Sequence, residues 1–150
     1  MAKGYPKKKK FVPQNKEKYV GNVDLIIARS NLELRFMRWC DTHSSVIRYS
    51  SEEVIIPYIK PTDKMYHRYF VDFLLTIRDK DDVEHTYLVE IKPKSQTKPP
   101  RKSKNKTNRA YLTETATFLV NKAKFAAAEK YCEQRGWKWK VLTEDQLKTL

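Results

Sequence analysis

Apolar and polar positions along the chain fall into alternating helical and extended patterns. Leu32, Phe36 and Trp39 recur at helical spacing behind Ser30-Asn31-Leu32-Glu33, which predicts a helix from about Ser30 to Asp41. Extended stretches follow at Val46–Tyr49 and Val54–Ile59, the second demoted to an edge or exit strand by Pro57 and Pro61. Two β-branched and aromatic runs come next, Tyr69 to Ile77 and Tyr87 to Lys92, around the turn-like cluster Asp79-Lys80-Asp81-Asp82. A long helix is predicted from about Tyr111 to Arg135. Its buried stripe is Leu112, Ala116, Leu119, Ala123, Ala127 and Tyr131, and Gly136 stops it. Trp137 to Val141 alternates as a half-buried strand, with both tryptophans on its core face. Thr143-Glu144-Asp145-Gln146 has capping-box spacing and starts a short final helix. The order predicts one α/β domain, a mixed central sheet flanked by helices, over 20–150.

Charge changes this picture at two places. The chain has 150 residues and a formal net charge of +13. Seven lysines against one glutamate lie in residues 1–18, which with Pro6 and Pro13 read as a flexible basic arm over 1–19. Lys94, Lys98, Arg101, Lys102, Lys104, Lys106 and Arg109 lie in 93–109 with no acid and no large apolar side chain, so this stretch reads as a basic surface loop. These two segments carry the whole net charge, leaving a neutral core with basic attachments, a form suited to a nucleic-acid backbone. Lys122, near the apolar stripe of the long helix, either reaches the sheet edge or extends to solvent. Cys40 and Cys132 are the cysteines, and they and the three histidines lack zinc-site spacing. No signal-peptide or membrane-spanning pattern is expected.

Candidate chemistry sits in the two apolar runs, because each carries a carboxylate. A lone buried carboxylate is costly unless it is paired or holds a cation. A hairpin folded about Asp81 sets Asp72 opposite Glu90, about 5 Å apart. A divalent cation between them removes their repulsion. Lys92, two positions beyond Glu90, shares its face of the strand. Mg2+, with Mn2+ as a substitute, suits such a pair because it keeps several waters and few protein ligands. Asp72, Glu90 and the Ile91 carbonyl are the candidate ligands, and Lys92 is placed to orient water at a phosphate. Glu33 on its own pattern is a helix-capping residue. Tyr69 and Tyr87 read as packing residues, and His67 as an exposed strand-start residue.

Glu33 on an early helix, Asp72 on a strand and Glu90-Ile91-Lys92 on the next resemble the PD-(D/E)XK nuclease pattern, in its TnsA-like endonuclease form. The likeness continues through Lys124-Phe125-Ala126-Ala127-Ala128, Tyr131 to Trp137 and Val141 to Glu144, and so runs from about Ser30 to the C-terminus. Val71 stands where the pattern has its nominal proline. The resemblance implies a restriction-endonuclease-like core, magnesium-dependent cleavage of double-stranded DNA, and Glu33, Asp72, Glu90 and Lys92 as the active-site set. Length and the lysine-rich start are similar to phage members of the group. That implies work at head completion before tail joining, in the head–neck region of the virion or the host cytoplasm, with portal or neck proteins as partners. A basic adaptor using an inactive nuclease fold, clamping DNA ends or connecting head to tail, is the alternative; a ribosomal-type RNA-binding protein leaves the strand carboxylates unexplained.

Overall fold

The computed structural model describes residues 8–149. Its centre is a four-stranded mixed sheet in the order β3-β6-β7-β8, formed by β3 (Val46–Ser51), β6 (Phe73–Arg78), β7 (Glu84–Ile91) and β8 (Lys138–Leu142). The first three strands are antiparallel, and β8 runs parallel to β7. The β6–β7 register pairs Phe73 with Val89 and Leu75 with Tyr87, symmetric about Asp81 as the turn cluster predicts. The Asp79 carboxylate fixes that turn by accepting the Asp81 and Val83 amides. Asp82 takes a left-handed backbone at φ 63°.

Alternation along the strands divides the core in two. Phe73, Leu75, Val89 and Ile91 face α1 (Asn31–Thr42) and α3 (Glu144–Leu147), where they pack with Phe36, Met37, Cys40 and Leu147. Leu74, Leu88 and Trp139 face α2 (Asn108–Glu133) and pack with Ala128 and Cys132. Glu90 and Lys92, in phase with Leu88, are therefore sent to the α2 side. Ser30 caps α1 by accepting the Glu33 amide, and the predicted Thr143–Gln146 capping box is formed. Both tryptophans pack as predicted, Trp139 against Phe125 and Trp137 against Tyr131.

Three expectations are corrected. The run from Tyr69 to Ile77 is not one strand. It breaks at Val71-Asp72 into β5 (Tyr66–Phe70), which pairs with β4 (Ile55–Ile59) in a separate two-stranded sheet, and β6. Residues 8–19 of the expected flexible arm are packed, while 1–7 lie outside the described residues. Lys9 and Lys10 form β1, paired with β2 (Ile27–Ala28); Phe11 and Tyr19 are buried; and the Gln14 and Asn15 amides donate to the buried Asp41. Two aromatic side chains and these hydrogen bonds outweigh the lysines around them. Finally, Leu112 and Leu119 of the expected helix stripe are exposed. The core meets α2 farther along, at Val120, Ala123, Ala127, Ala128, Tyr131 and Cys132.

Gly136 ends α2 at φ 69°, with open space around the position of a Cβ. A side chain there meets backbone strain alone. Gly136→Ala should lower stability by about 1 kcal/mol, measured by urea unfolding.

Candidate active site

The site forms where the two sheets meet, because Asp72 occupies the joint between them. Its main-chain carbonyl accepts the Glu52 amide at 3.0 Å, holding β6 to the end of β3. Its carboxylate accepts the Ile91 amide at 2.8 Å, which brings it to the end of β7 beside Glu90. Asp72 thus lies one position beyond the β6–β7 ladder rather than within it.

Glu90 is buried at 6% exposure, too little for water alone to solvate a carboxylate. Two partners meet it. The Tyr69 hydroxyl donates to Oε2 at 2.7 Å, and Lys92 Nζ stands 3.5 Å from Oε1. Tyr69 comes from β5, so the small sheet contributes a hydrogen bond as well as a wall. Burial first, then the charge of Glu90 and the hydrogen bond to it, hold the Tyr69 phenol in its neutral, donating form.

Glu33 enters from the first turn of α1 and is half-buried. Its Oε2 accepts the Arg29 amide at 3.0 Å while its own amide donates to Ser30. The Ser30 half of the expected cap is formed, but Glu33 reaches the Arg29 amide rather than the Ser30 amide that would close a capping box, and its carboxylate also lies within the field of Glu90. Burial raises its pKa most; the Arg29 amide opposes, and the Glu52 and Glu90 charges raise it further. Asp72 shows the same tension more strongly. Burial first, then the charges of Glu90 and Glu33, push its carboxyl well above the usual carboxylate range, against the partial relief of the Ile91 amide and Lys92. Asp72, Glu90 and Glu33 therefore repel one another across a poorly solvated joint.

Glu52 and Arg29 border this cluster. Glu52 has a left-handed backbone at φ 56°, and its carboxylate takes both arms of the Arg29 guanidinium, at 2.6 and 3.2 Å. The fork is bidentate, and it neutralises a fourth acid that would otherwise add to the repulsion. Two serines and two glutamates in sequence at a strand end gave no sign of this role.

Hard oxygens held close together with unrelieved like charge fit a divalent cation. Asp72 and Glu90, with the Ile91 carbonyl between Glu90 and Lys92, are the groups that could hold it. Among the described residues, no three His, Cys, Asp or Glu side chains converge tightly enough to cage an ion by themselves. Such a sparse donor set suits Mg2+, which binds few carboxylates and retains water.

The basic segment is more structured than a plain loop. Lys94 opens a short 3-10 turn, Lys94–Thr97, and its ammonium pairs with Asp145 at 3.0 Å while its amide donates to Glu144. This exposed pair links Lys94 to α3. Lys106 is also partnered, to Glu114 at 2.6 Å. Lys102 donates to the Lys106 carbonyl, and Arg109 lies in the first turn of α2. Lys98, Arg101, Lys104 and Arg109 are exposed and, among the described residues, form no ion pair. Lys122 extends to solvent. Its neighbour Lys124 is the lysine of α2 that is half-buried, with its ammonium over the Tyr69 and Tyr58 rings. His67 is taken by Asp63 at 2.7 Å.

A mixed sheet flanked by helices, with an acid pair and a lysine gathered at a strand joint, defines a nuclease of the PD-(D/E)XK kind. The family model for the N-terminal domain of TnsA-like endonucleases matches residues 43–144, and the chain belongs to that family. Asp72, Glu90 and Lys92 fall inside the matched region; Glu33 lies before it. The chain is also similar to the head completion nuclease of Enterobacteria phage T4, at 38% identity over 144 residues, covering 94% of this chain and 93% of that protein.

Proposed function

We propose that this nuclease cleaves double-stranded DNA with Mg2+, and that it acts in bacteriophage head completion before the tail joins. The convergence of Asp72 and Glu90 at the sheet joint, with Lys92 3.5 Å from Glu90, carries this reading. The name of its phage relative supports the setting, and that setting makes portal or neck proteins its partners. Mn2+ is expected to substitute for Mg2+.

Asp72, Glu90 and the Ile91 carbonyl would hold the ion. When bound, it shields the phosphate charge and supplies a water that ionises readily. Lys92 keeps its ammonium beside Glu90, where it would orient an attacking water and meet charge developing on the phosphate. Tyr69 fixes the Glu90 rotamer through its hydroxyl, so that one carboxylate oxygen is committed before substrate arrives. Glu33 would add negative field at the edge of the cluster, favouring a cation there. Lys98, Arg101, Lys104 and Arg109 would bind phosphates along the duplex, with Lys102 and Lys122 beside them. That gives affinity with little base readout and a strong dependence on salt.

Supercoiled plasmid incubated with the protein should be nicked in Mg2+ or Mn2+ and left intact in chelator. Intact plasmid under every metal, with the protein folded and bound to DNA, would favour the inactive connector instead.

A further inference from the structure

We propose that Lys124 is a second cation of the cleavage centre, its ammonium contacting the non-bridging oxygens of the phosphodiester being cut. This rests on the nuclease reading above and adds a residue from α2 to a site otherwise built on strands and α1.

The geometry comes from aromatic packing. Lys124 Nζ lies 5.5 Å from the centre of the Tyr69 ring and 5.9 Å from that of Tyr58. Tyr69 meanwhile donates to Glu90 at 2.7 Å. One tyrosine thus carries the carboxylate at its hydroxyl end and the ammonium over its face. The charges that act on Lys124 are Lys92, Glu90 and Asp72 of the site and Lys60 from the turn between β4 and β5.

A packing role does not account for a lysine at this position. The ammonium is half-buried and, among the described residues, has no carboxylate partner within ion-pair distance. Burial first and then the like charge of Lys92 disfavour its charged form, which Glu90 only partly offsets. Methionine would cover the same two rings without that cost. The phosphodiester, a monoanion that gains a second negative charge as the nucleophile adds, supplies on entering between Lys92 and Lys124 the counter-charge that the free protein lacks. The two lysines then divide the work. Lys92 remains tied to Glu90, and Lys124, without an acid of its own, is available to the substrate.

Single-turnover cleavage of a labelled duplex in Mg2+ tests this, with wild type, Lys124→Met, Lys124→Arg and Lys130→Ala compared. Lys130 is exposed on the same helix and serves as the control. Lys124→Met should melt no lower than wild type, bind duplex in chelator within about threefold, and cut roughly thirtyfold more slowly. Lys124→Arg, which restores the charge, should recover most of that rate, and Lys130→Ala should match wild type. The proposal is overturned if Lys124→Met cuts within about threefold of wild type, if Lys124→Arg is no faster than Lys124→Met, or if the rate falls only in step with the folded fraction. A wild-type chain that cuts nothing in Mg2+ or Mn2+ removes the nuclease reading itself; an active wild type with an equally active Lys124→Met removes this inference alone.

Discussion

Asp72→Asn should lose cleavage by on the order of a thousandfold while making the metal-free protein more stable. Asparagine still accepts the Ile91 amide, so the joint between the sheets is preserved. What disappears is a buried charge opposed by Glu90 and Glu33. The sign follows from linkage. The native state holds the Asp72 proton more tightly than the unfolded chain does. Its stabilising contribution is therefore complete below the ordinary aspartate value of 3.8 and is lost as pH rises through the native value, well above it. Thermal melts of the wild type in chelator should fall as pH rises across that window, and the Asp72→Asn melts should fall less. Equal pH slopes in the two proteins would remove the electrostatic tension on which the metal assignment depends. Lys92→Ala should likewise retain duplex binding and lose cutting, without the gain in stability.

Asp41→Ala carries the largest expected loss of stability, about 3 kcal/mol, or a melting temperature lower by roughly 6–12 °C. Asp41 is only 1% exposed. It accepts the Gln14 amide at 2.8 Å, the Asn15 amide at 3.3 Å and the Tyr49 hydroxyl at 3.1 Å. Alanine leaves those donors without an acceptor inside the fold. Asp41→Asn keeps one oxygen and should cost about a third as much. The damage should also spread outward, since this carboxylate ties residues 8–19 to α1. Hydrogen exchange should show the Phe11 amide, which donates to Ile26, losing protection first. Full protection of that amide in Asp41→Ala would mean that the segment is held by its aromatic side chains alone.

Periodicity was enough to read α1, α2, β7, β8 and the hairpin register, because each depends on local alternation or a local cap. The break at Val71-Asp72 was hidden. No glycine or proline marks it, and the residues on both sides are β-branched or aromatic. It arises because Tyr69 pairs with β4 while Phe73 pairs with β3 and β7, a tertiary choice with no local signature. The same reasoning separates the site residues. Asp72, Glu90 and Lys92 stood out as charges in apolar runs. Tyr69 looked like any core aromatic until its hydroxyl was seen to meet Glu90. Spacing put Lys122 beside the apolar stripe, but the rotation of α2 against the sheet leaves Lys122 exposed and half-buries Lys124 instead. Arg29, Glu52 and Asp41 are polar residues in polar or mixed stretches, and only the fold gives them partners. Phe11 and Tyr19, whose burial anchors the N-terminal segment, stand among lysines with no local periodicity to mark them.

The parallel pairing of β7 with β8 has a consequence for biosynthesis. Glu90 is registered against Val141, and the Lys92 amide donates to the Leu142 carbonyl at 2.9 Å. The strand that steadies the cutting residues is thus translated long after them. A nascent chain still threaded through the ribosome has the acids and the lysine but lacks their support. The cluster therefore gains its full support only once β8 has been made and has docked against β7.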